Sequence, residues 1–284
     1  MKLKKWEELP EQMKCEEVKR YYDLLKTKRA SLFFKRLFDV VVSLFMLVLL
    51  SPIFLVLAIA IKVDSKGPVF YRQVRVTQYG RQFKIHKFRT MVQDADKGSQ
   101  VTTQGDCRIT RVGKRIRKLR LDEISQLIDV LKGDMTFVGT RHEVPKYVAQ
   151  YTPKMMATLL LPAGVTSLAS ICFKDEDELL AGAEDTDKAY VEQVLPLKMK
   201  YNLYSIESFG FWRDVKTMFM TVFAVLGKKY NIEVDDTDAP TVDDAHVDDA
   251  PTADDNSQTD STSMVEDTAI DRDDQGSTDV EQPQ

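Results

Sequence analysis

The stretch LFDVVVSLFMLVLLSPIFLVLAIAI, residues 37–61, decides the architecture of this chain. Its only charge is Asp39, near the start, and it is long enough to cross a hydrocarbon core, which takes about 20 apolar residues. Ser51-Pro52 falls in the middle, where proline removes a helix hydrogen bond and favours a kink. The stretch therefore predicts a membrane-embedded helix that is broken at its centre.

Basic residues flank this stretch at both ends. They are Lys28, Arg29, Lys35 and Arg36 before it, and Lys62, Lys66, Arg72 and Arg75 after it. Lys and Arg are enriched on the cytoplasmic side of membrane segments. Two basic flanks therefore fit this rule best when both ends of the segment lie on the cytoplasmic face of the membrane. We therefore expect a re-entrant helix with residues 30 and 70 both in the cytoplasm. A kinked single span is the alternative.

Charge is distributed unevenly along the 284 residues. From residue 233 onward there are 18 Asp or Glu and one basic residue, which leaves 39 Lys and Arg against 26 Asp and Glu in the rest, a net charge of +13. A basic body suits anionic partners such as phosphates, anionic lipids or nucleic acid. The acidic tail has almost no aromatic residues and cannot bury enough surface to fold alone, so we expect it to be disordered.

Several common functional signatures do not occur in the sequence. Cys15, Cys107 and Cys172 are odd in number and lack metal-type spacing, which favours a reducing environment without a disulfide framework. There is no phosphate-binding Walker loop, no dinucleotide fingerprint and no Gly-x-Ser-x-Gly nucleophile elbow. His86 and His142 have no His or Cys partner at ligand spacing, so we interpret them as ordinary polar residues.

The pattern predicts an α+β fold that is mostly helical, divided into four segments. They are an amphipathic helical extension (1–32), which packs either on the body or on a membrane surface, the re-entrant helix (33–66), a catalytic domain (67–232) and the acidic tail (233–284). Residues 69–76 and 82–89 alternate like two strands around Gly80, which predicts a small hairpin.

Helical periodicity dominates the rest of the body. Residues 111–132 predict one helix or two short ones that stop at Gly133, and residues 141–160 and 184–203 also have helical character. We expect residues 203–226 to form one or two amphipathic helices resting on the membrane, with a core helix as the alternative.

Asp122 and Glu123 follow a basic stretch and are the first candidates for chemistry. The stretch contains Arg111, Lys114, Arg115, Arg117, Lys118 and Arg120. Nearby positive charge favours ionised carboxylates, which suit Mg²⁺ binding and nucleophilic attack, while Arg and Lys suit phosphates. Read alone, the acids would most simply form a solvated ion pair on a helix, and adjacent helical residues do not share a face.

A glycine-flanked arginine follows downstream of the acids. Gly139 and Arg141 are predicted to form a loop at the start of a helix, which is a ready place for an anion. A loop arginine in water is the alternative.

Motifs spread over residues 33–228 resemble those of the bacterial sugar transferases of the monotopic phosphoglycosyl transferase family. The matching segments are Lys35-Arg36-Leu37-Phe38-Asp39, Ser51-Pro52, Gly67-Pro68-Val69-Phe70, Arg72-Gln73, Phe83-Lys84-Ile85-His86-Lys87-Phe88-Arg89-Thr90-Met91, Leu121-Asp122-Glu123, Gln126-Leu127, Lys132-Gly133-Asp134-Met135 and Val138-Gly139. They occur in the family's order.

The resemblance implies a specific reaction. Asp122 would attack the sugar-bearing phosphate of a UDP-sugar, release UMP and pass the sugar phosphate to undecaprenyl phosphate, with Mg²⁺ held by Asp122 and Glu123. Lys87, Arg117 and Arg141 would contact substrate phosphates, and Arg89 and Gln126 are further candidates for substrate binding. The setting would be the cytoplasmic face of the inner membrane, at the first step of capsule, exopolysaccharide or glycan assembly, with downstream glycosyltransferases or a second copy of the chain as partners.

Three departures from the family pattern affect the expected sugar specificity more than the reaction type. Gly139-Thr140-Arg141-His142 stands where Gly-Pro-Arg-Pro is usual, Ser125 replaces a frequent proline, and Pro162-Ala163-Gly164-Val165-Thr166-Ser167 carries an insertion before its glycine.

Two other classes of function compete with the enzyme. One is a membrane-tethered scaffold that recruits assembly proteins through the acidic tail. The other, a nucleic-acid-binding membrane protein, ranks last because the basic body lacks basic residues interleaved with aromatic ones and any known binding module, so we expect no nucleic-acid partner.

Overall fold

Helices dominate the fold, which is known from a computed structural model that describes residues 1–93, 95, 107–173, 186–228, 230, 232 and 234. The α-helices are α1 (Glu16–Thr27), α2 (Arg29–Leu49), α3 (Ser51–Asp64), α4 (Arg111–Lys118), α5 (Leu127–Lys132), α6 (Pro145–Val148), α7 (Leu168–Cys172), α8 (Thr186–Ala189), α9 (Leu195–Glu207) and α10 (Phe211–Val225). The strands are β1 (Phe70–Tyr71), β2 (Val74–Val76), β3 (Gln82–Lys84), β4 (Lys87–Phe88), β5 (Met135–Val138) and β6 (Ala163–Thr166). The α+β class is confirmed, whereas the predicted disorder of the tail concerns residues outside the described ones, apart from Val234.

The apolar stretch forms two helices that meet at Leu50. Ser51 donates its hydroxyl to the Val48 carbonyl at 2.8 Å, and Pro52 lies in the first turn of α3. Within the part of the chain that the structure describes, none of the helices alone has the length and apolar character to cross a membrane, whereas α2 and α3 together do, with a 61° bend between them. The predicted break at Ser51-Pro52 is confirmed.

Helix α2 buries polar residues and exposes apolar ones, the reverse of a helix in a water-soluble core. Lys35, Asp39 and Ser43, spaced four residues apart, are all buried. The exposed side chains of α2 include Phe33, Phe34, Leu37, Val41, Leu44, Phe45, Val48 and Leu49, and those of α3 include Ile53, Leu55, Val56, Ile59 and Val63.

The polar face of α2 is attached to the segment that runs from α5 to β5. Arg36 donates to the carbonyls of Val130 (2.7 Å) and Leu131 (2.9 Å), which lie in the last turn of α5 where helix carbonyls lack partners. Lys35 donates to the Val138 carbonyl (2.6 Å) and to Asp214 of α10 (2.5 Å).

Asp39 completes this attachment. Its carboxylate accepts from the Thr136 hydroxyl at 2.7 Å and from the Phe137 backbone N–H at 3.2 Å. The one charge of the apolar stretch therefore has hydrogen-bond partners in the body, which a buried charge requires.

The predicted hairpin is confirmed. It consists of two short antiparallel strand pairs that share one register. Strands β2 and β3 pair Val74 with Lys84, and β1 and β4 pair Tyr71 with Lys87. Between them, the Ile85 N–H donates to the Gln73 carbonyl at 3.0 Å, so the register continues across the gap.

Strands β5 and β6 pair in parallel, and backbone hydrogen bonds continue this pairing beyond the ends of the strands. Gly139 donates to the Thr166 carbonyl, and Gly164 donates to the Thr140 carbonyl. A Cβ on Gly164 would lie 2.3 Å from the backbone nitrogen of Gly139, so only glycine fits there.

The helix predictions for the C-terminal half hold in part. Helix α9 is a core helix that buries Leu195, Met199 and Leu203, whereas α10 exposes an apolar face that includes Trp212 and Phe219. Residues 141–160 have helical character only in the short α6 and in a 3₁₀ segment at Met155–Leu160, so the prediction for this range holds in part.

The N-terminal extension packs on the body. Helix α1 buries Val18, Tyr21, Tyr22 and Leu25, which share a hydrophobic core with α9 and the segment Met155–Leu161. Helix α1 therefore packs on the body, as one of the two predictions for this segment states, and its contact with a membrane surface stays a prediction.

Leu25 and its neighbour Leu24 provide a matched test of this packing. Leu25 is fully buried, whereas 36% of Leu24 is exposed. We expect Leu25→Ala to lower the free energy of unfolding by about 2–5 kcal/mol, as for other buried leucines. Leu24→Ala should change it by no more than about 0.5 kcal/mol. Denaturation of both variants in detergent would measure the difference, and equal stabilities would contradict the packing of α1.

Candidate active site

A sharp backbone turn separates the basic helix α4 from the two acids. Arg120 has a left-handed backbone (φ 52°), which is uncommon for a residue other than glycine. The chain therefore leaves α4 at Lys118 and enters a 3₁₀ segment at Leu121–Gln126 that carries Asp122 and Glu123. Residues 111–132 thus form two α-helices with a 3₁₀ segment between them.

The two acids meet at one lysine. Lys87 Nζ lies 2.9 Å from Asp122 Oδ2 and 3.7 Å from Glu123 Oε1. Arg141 Nη2 lies 3.5 Å from the same Glu123 oxygen. Asp122 and Glu123 therefore serve one site, although residues adjacent on an α-helix point in different directions.

The two cations reach the acids from separate parts of the fold. Lys87 comes from β4 of the hairpin, and Arg141 follows β5 and forms a parallel bridge with Gly164. Gly139 and Arg141 lie in a loop before a helix, as predicted, although the helix α6 is short and begins only at Pro145. Arg141 is positioned by the extension of the β5–β6 pair.

Positive charge controls the ionisation of Glu123. Burial favours the neutral acid, but the charges of Arg141, Lys87 and Arg120 outweigh it and hold the pKa of Glu123 below its ordinary value. The expectation of an ionised Glu123 is confirmed, with Lys87 and Arg141 as its closest partners. Most of the basic side chains of α4 point into solvent, while Arg117 is half-buried.

The sequence interpretation missed the surroundings of His142. Burial and the positive charges of Arg75, Arg141 and Lys87 hold its pKa well below the ordinary value, so the imidazole is neutral at pH 7. Among the described residues, none hydrogen-bonds its buried Nδ1. The sequence signal that could have pointed to His142 is its position directly after Arg141, where the family pattern has proline.

A buried polar network lies behind Arg141 and His142. The Tyr190 hydroxyl donates to Glu143 Oε1 at 2.7 Å, and Lys198 donates to the Tyr190 hydroxyl at 3.0 Å. This network supports the loop that carries Arg141.

Two predicted substrate-binding residues, Arg89 and Gln126, are both buried. Arg89 donates to the carbonyls of Lys66 (2.8 Å) and Ser65 (2.7 Å), so it closes the turn after α3. Gln126 is buried, and its Oε1 has no hydrogen-bond partner among the residues that the structure describes. Their substrate-binding roles remain predictions.

The donor set fits Mg²⁺. In the described part of the chain, no group of three or more His, Cys, Asp or Glu side chains could hold a metal. Mg²⁺ is commonly bound by one or two carboxylates together with substrate phosphates and water, however, so the adjacent oxygens of Asp122 and Glu123 suffice.

The structure therefore combines a bent apolar helix pair with a site of two acids and two cations. Residues 30–228 match the model of one protein family, described as "Bacterial sugar transferase". The chain belongs to this family.

Curated relatives share this region. The chain is 37% identical over 198 residues to a UDP-N-acetylgalactosamine-undecaprenyl-phosphate N-acetylgalactosaminephosphotransferase of Aeromonas hydrophila, which covers 68% of this chain and 44% of the relative. It is 38% identical over 196 residues to a UDP-glucose:undecaprenyl-phosphate glucose-1-phosphate transferase of Klebsiella pneumoniae, covering 67% and 39%. An uncharacterized sugar transferase of Bacillus subtilis is 32% identical over 192 residues, covering 68% and 87%. The chain thus spans about two fifths of the length of the first two relatives.

Removing Arg141 tests the electrostatics of the site. In Arg141→Met the burial of Glu123 remains but its largest opposing charge is lost, so its pKa should rise. In the wild type, ionised Glu123 stabilises the fold at pH values above the pKa that this group has in the unfolded chain. The contribution is lost as the pH falls through the lower pKa that Glu123 has in the folded protein. Carboxyl ¹³C NMR titration, with Glu123→Gln for assignment, would measure the change. Lys146→Met, which removes the distant partner of Asp187, should leave Glu123 unaltered; an unshifted Glu123 in Arg141→Met would contradict the pairing.

Proposed function

We propose that this protein transfers a sugar-1-phosphate from a UDP-sugar to undecaprenyl phosphate and releases UMP. The observation that carries the proposal is the convergence of Asp122, Glu123, Lys87 and Arg141, in a chain of the bacterial sugar transferase family. The names of the Aeromonas and Klebsiella relatives describe the same class of reaction with two different sugars.

The reaction proceeds in two displacements. An Asp122 carboxylate oxygen attacks the sugar-bearing phosphorus, the bond from this phosphorus to the bridging oxygen breaks, and the electron pair leaves with UMP. A phosphate oxygen of undecaprenyl phosphate then attacks the same phosphorus and restores the Asp122 carboxylate. One difficult transfer is thereby divided into two easier ones.

Lys87 and Arg141 position and stabilise the phosphoryl group. Lys87 neutralises negative charge beside Asp122, which allows an anionic nucleophile to approach an anionic diphosphate. Arg141 offers a planar pair of donors suited to phosphate oxygens. Arg117 is the further predicted phosphate contact, on the helix that leads to the acids.

Mg²⁺, held by Asp122 and Glu123, would offset the charge of the diphosphate and stabilise the leaving phosphate. Glu123 suits this role because it is ionised and does not need to react. Glu123 Oε1 lies 3.5 Å from Arg141 Nη2, which supports a proposed metal ligand beside a proposed phosphate contact.

The bent pair α2–α3 accounts for the lipid substrate. We propose that it enters and leaves the cytoplasmic leaflet of the inner membrane, with α10 lying on the surface. The exposed apolar side chains of all three helices support this arrangement, as does their attachment to the body through Lys35 and Asp39. The site then faces the cytoplasm, where UDP-sugars are made, and starts the assembly of a capsule, exopolysaccharide or other glycan.

A scaffold role through the acidic tail is the competing function. The tail lies outside the described residues, and the arrangement of the acids and cations favours the enzyme. Folded wild-type protein that released no UMP from a broad UDP-sugar panel, with Mg²⁺ and undecaprenyl phosphate present, would refute the enzyme.

The nucleophile can be tested without the lipid acceptor. With UDP-sugar and Mg²⁺ alone, the wild type should release a burst of about one UMP per protein and gain the mass of a sugar phosphate on Asp122. Asp122→Asn should lower the rate of the UMP burst by about 10³-fold or more. Asp23→Asn, at an exposed carboxylate on α1, should keep it. A full burst from Asp122→Asn would exclude this nucleophile.

The membrane arrangement can be tested by labelling single cysteines in a cysteine-free background. Ala30→Cys and Lys66→Cys place exposed thiols at the two ends of the helix pair. In intact spheroplasts, a membrane-impermeant maleimide should label neither; after lysis it should label both. Labelling of residue 30 from outside the cell would support a spanning helix instead.

A further inference from the structure

His86, which precedes Lys87, is tied to a fully buried carboxylate. Its ring Nδ1 lies 2.6 Å from Asp129 Oδ1, and its backbone N–H donates to Asp129 Oδ2 at 2.8 Å. Asp129 is 0% exposed and directs both oxygens at this one residue. His86 is therefore not the ordinary polar residue that its sequence spacing indicated.

Ser125, which lies four residues before Asp129 in the chain, binds the backbone carbonyl of His86. The Ser125 hydroxyl lies 3.0 Å from the His86 carbonyl oxygen and 3.3 Å from the Asp122 carbonyl oxygen. The N–H, the ring and the carbonyl of His86 are thus all bound by the continuous segment from Asp122 to Asp129. This segment also carries the two acids that Lys87 contacts.

These contacts restrain a side chain that would otherwise be mobile. The Lys87 side chain is 29% exposed and has a long flexible stem, and an ion pair of this kind contributes little by itself because ordering both partners costs entropy. Fixing the backbone next to Lys87 removes part of that freedom before substrate binds. Phe70 packs edge-on against the His86 ring at 5.9 Å and limits its rotation.

We propose that His86 and Asp129 are positioning residues that hold Lys87 against Asp122 and Glu123. The proposal rests on the proposed function for its kinetic consequence. A buried Asp–His pair could instead serve stability alone, so the test must separate misplacement of Lys87 from loss of folding.

Three variants make this separation. His86→Leu removes the ring donor, whereas His86→Asn places an amide N–H near the position of Nδ1 and can keep the bond to Asp129. Val130→Ala is the matched control, because Val130 adjoins Asp129 on α5 and is equally buried, but its side chain packs in an apolar cluster with Phe83 and Ile85. It should weaken the fold while the hydrogen bonds between His86 and Asp129 remain.

The kinetic measurement is single-turnover UMP release with saturating and subsaturating UDP-sugar, well below the unfolding temperature of every variant. We expect His86→Leu to lower the maximal rate about 10–100-fold and to change the half-saturating concentration less than about 3-fold. His86→Asn should recover the rate to within about 5-fold of wild type, and Val130→Ala should keep the wild-type rate. A His86→Leu rate equal to that of Val130→Ala would overturn the proposal.

A second measurement does not depend on activity. Competitive trace acetylation reports how accessible Lys87 Nζ is, and its reactivity should rise at least about 3-fold in His86→Leu but not in His86→Asn or Val130→Ala, because released Lys87 loses its ion pair. If the wild type released no UMP while Lys87 still responded in this way, the enzyme proposal would fail and the positioning role would stand. Unchanged Lys87 reactivity in folded His86→Leu would refute the positioning role whatever the activity.

Discussion

The fold depends on the attachment of the polar face of α2 to the segment from α5 to β5. Because most apolar side chains of α2 are exposed, charged hydrogen bonds hold much of this helix: Lys35 and Arg36 donate to backbone carbonyls, and Asp39 accepts from the Thr136 hydroxyl and the Phe137 N–H. Arg36 also donates to the Leu131 carbonyl in the last turn of α5. Each bond spans a separation of about a hundred residues, and together they fix the bent apolar pair relative to the body.

The two acids lie directly before this segment in the chain. Asp122 and Glu123 precede α5, Arg36 binds its last turn, and Asp39 binds the following strand β5. The position of the acids relative to α2 is therefore set through this short stretch of chain. Asp64 at the end of α3 adds a second link, because its carboxylate accepts from the Val112 N–H at the start of α4. In the proposed reaction, these links hold the nucleophile in place relative to the helices that would contact the lipid.

Electrostatics then determines the state of the site. Burial alone would favour the neutral acid at Glu123, but Arg141, which follows β5, and Lys87 on β4 outweigh it and keep the pKa of Glu123 below its ordinary value. We propose that the contacts of His86 with Asp129 and Ser125 position Lys87, whereas the close backbone approach at Gly139 and Gly164 positions Arg141. An ionised Glu123 suits a metal ligand beside the proposed nucleophile Asp122.

Local patterns in the residues predict the broken apolar helix, the hairpin, the stop at Gly133, and Asp122, Glu123 and Arg141 as candidates, whereas Lys87 becomes a candidate only through the family resemblance. Such features depend on short-range rules: apolar length, the missing N–H of proline, strand alternation and turn glycines. The convergence of Asp122 and Glu123 on one lysine could not be read in this way, because it requires the left-handed turn at Arg120 and a hairpin from elsewhere in the chain. For the same reason local patterns do not show that Arg89 binds the turn after α3, or that Asp129, 43 residues away, holds His86. Pairing between distant residues is determined by packing of the whole chain, which no local pattern records.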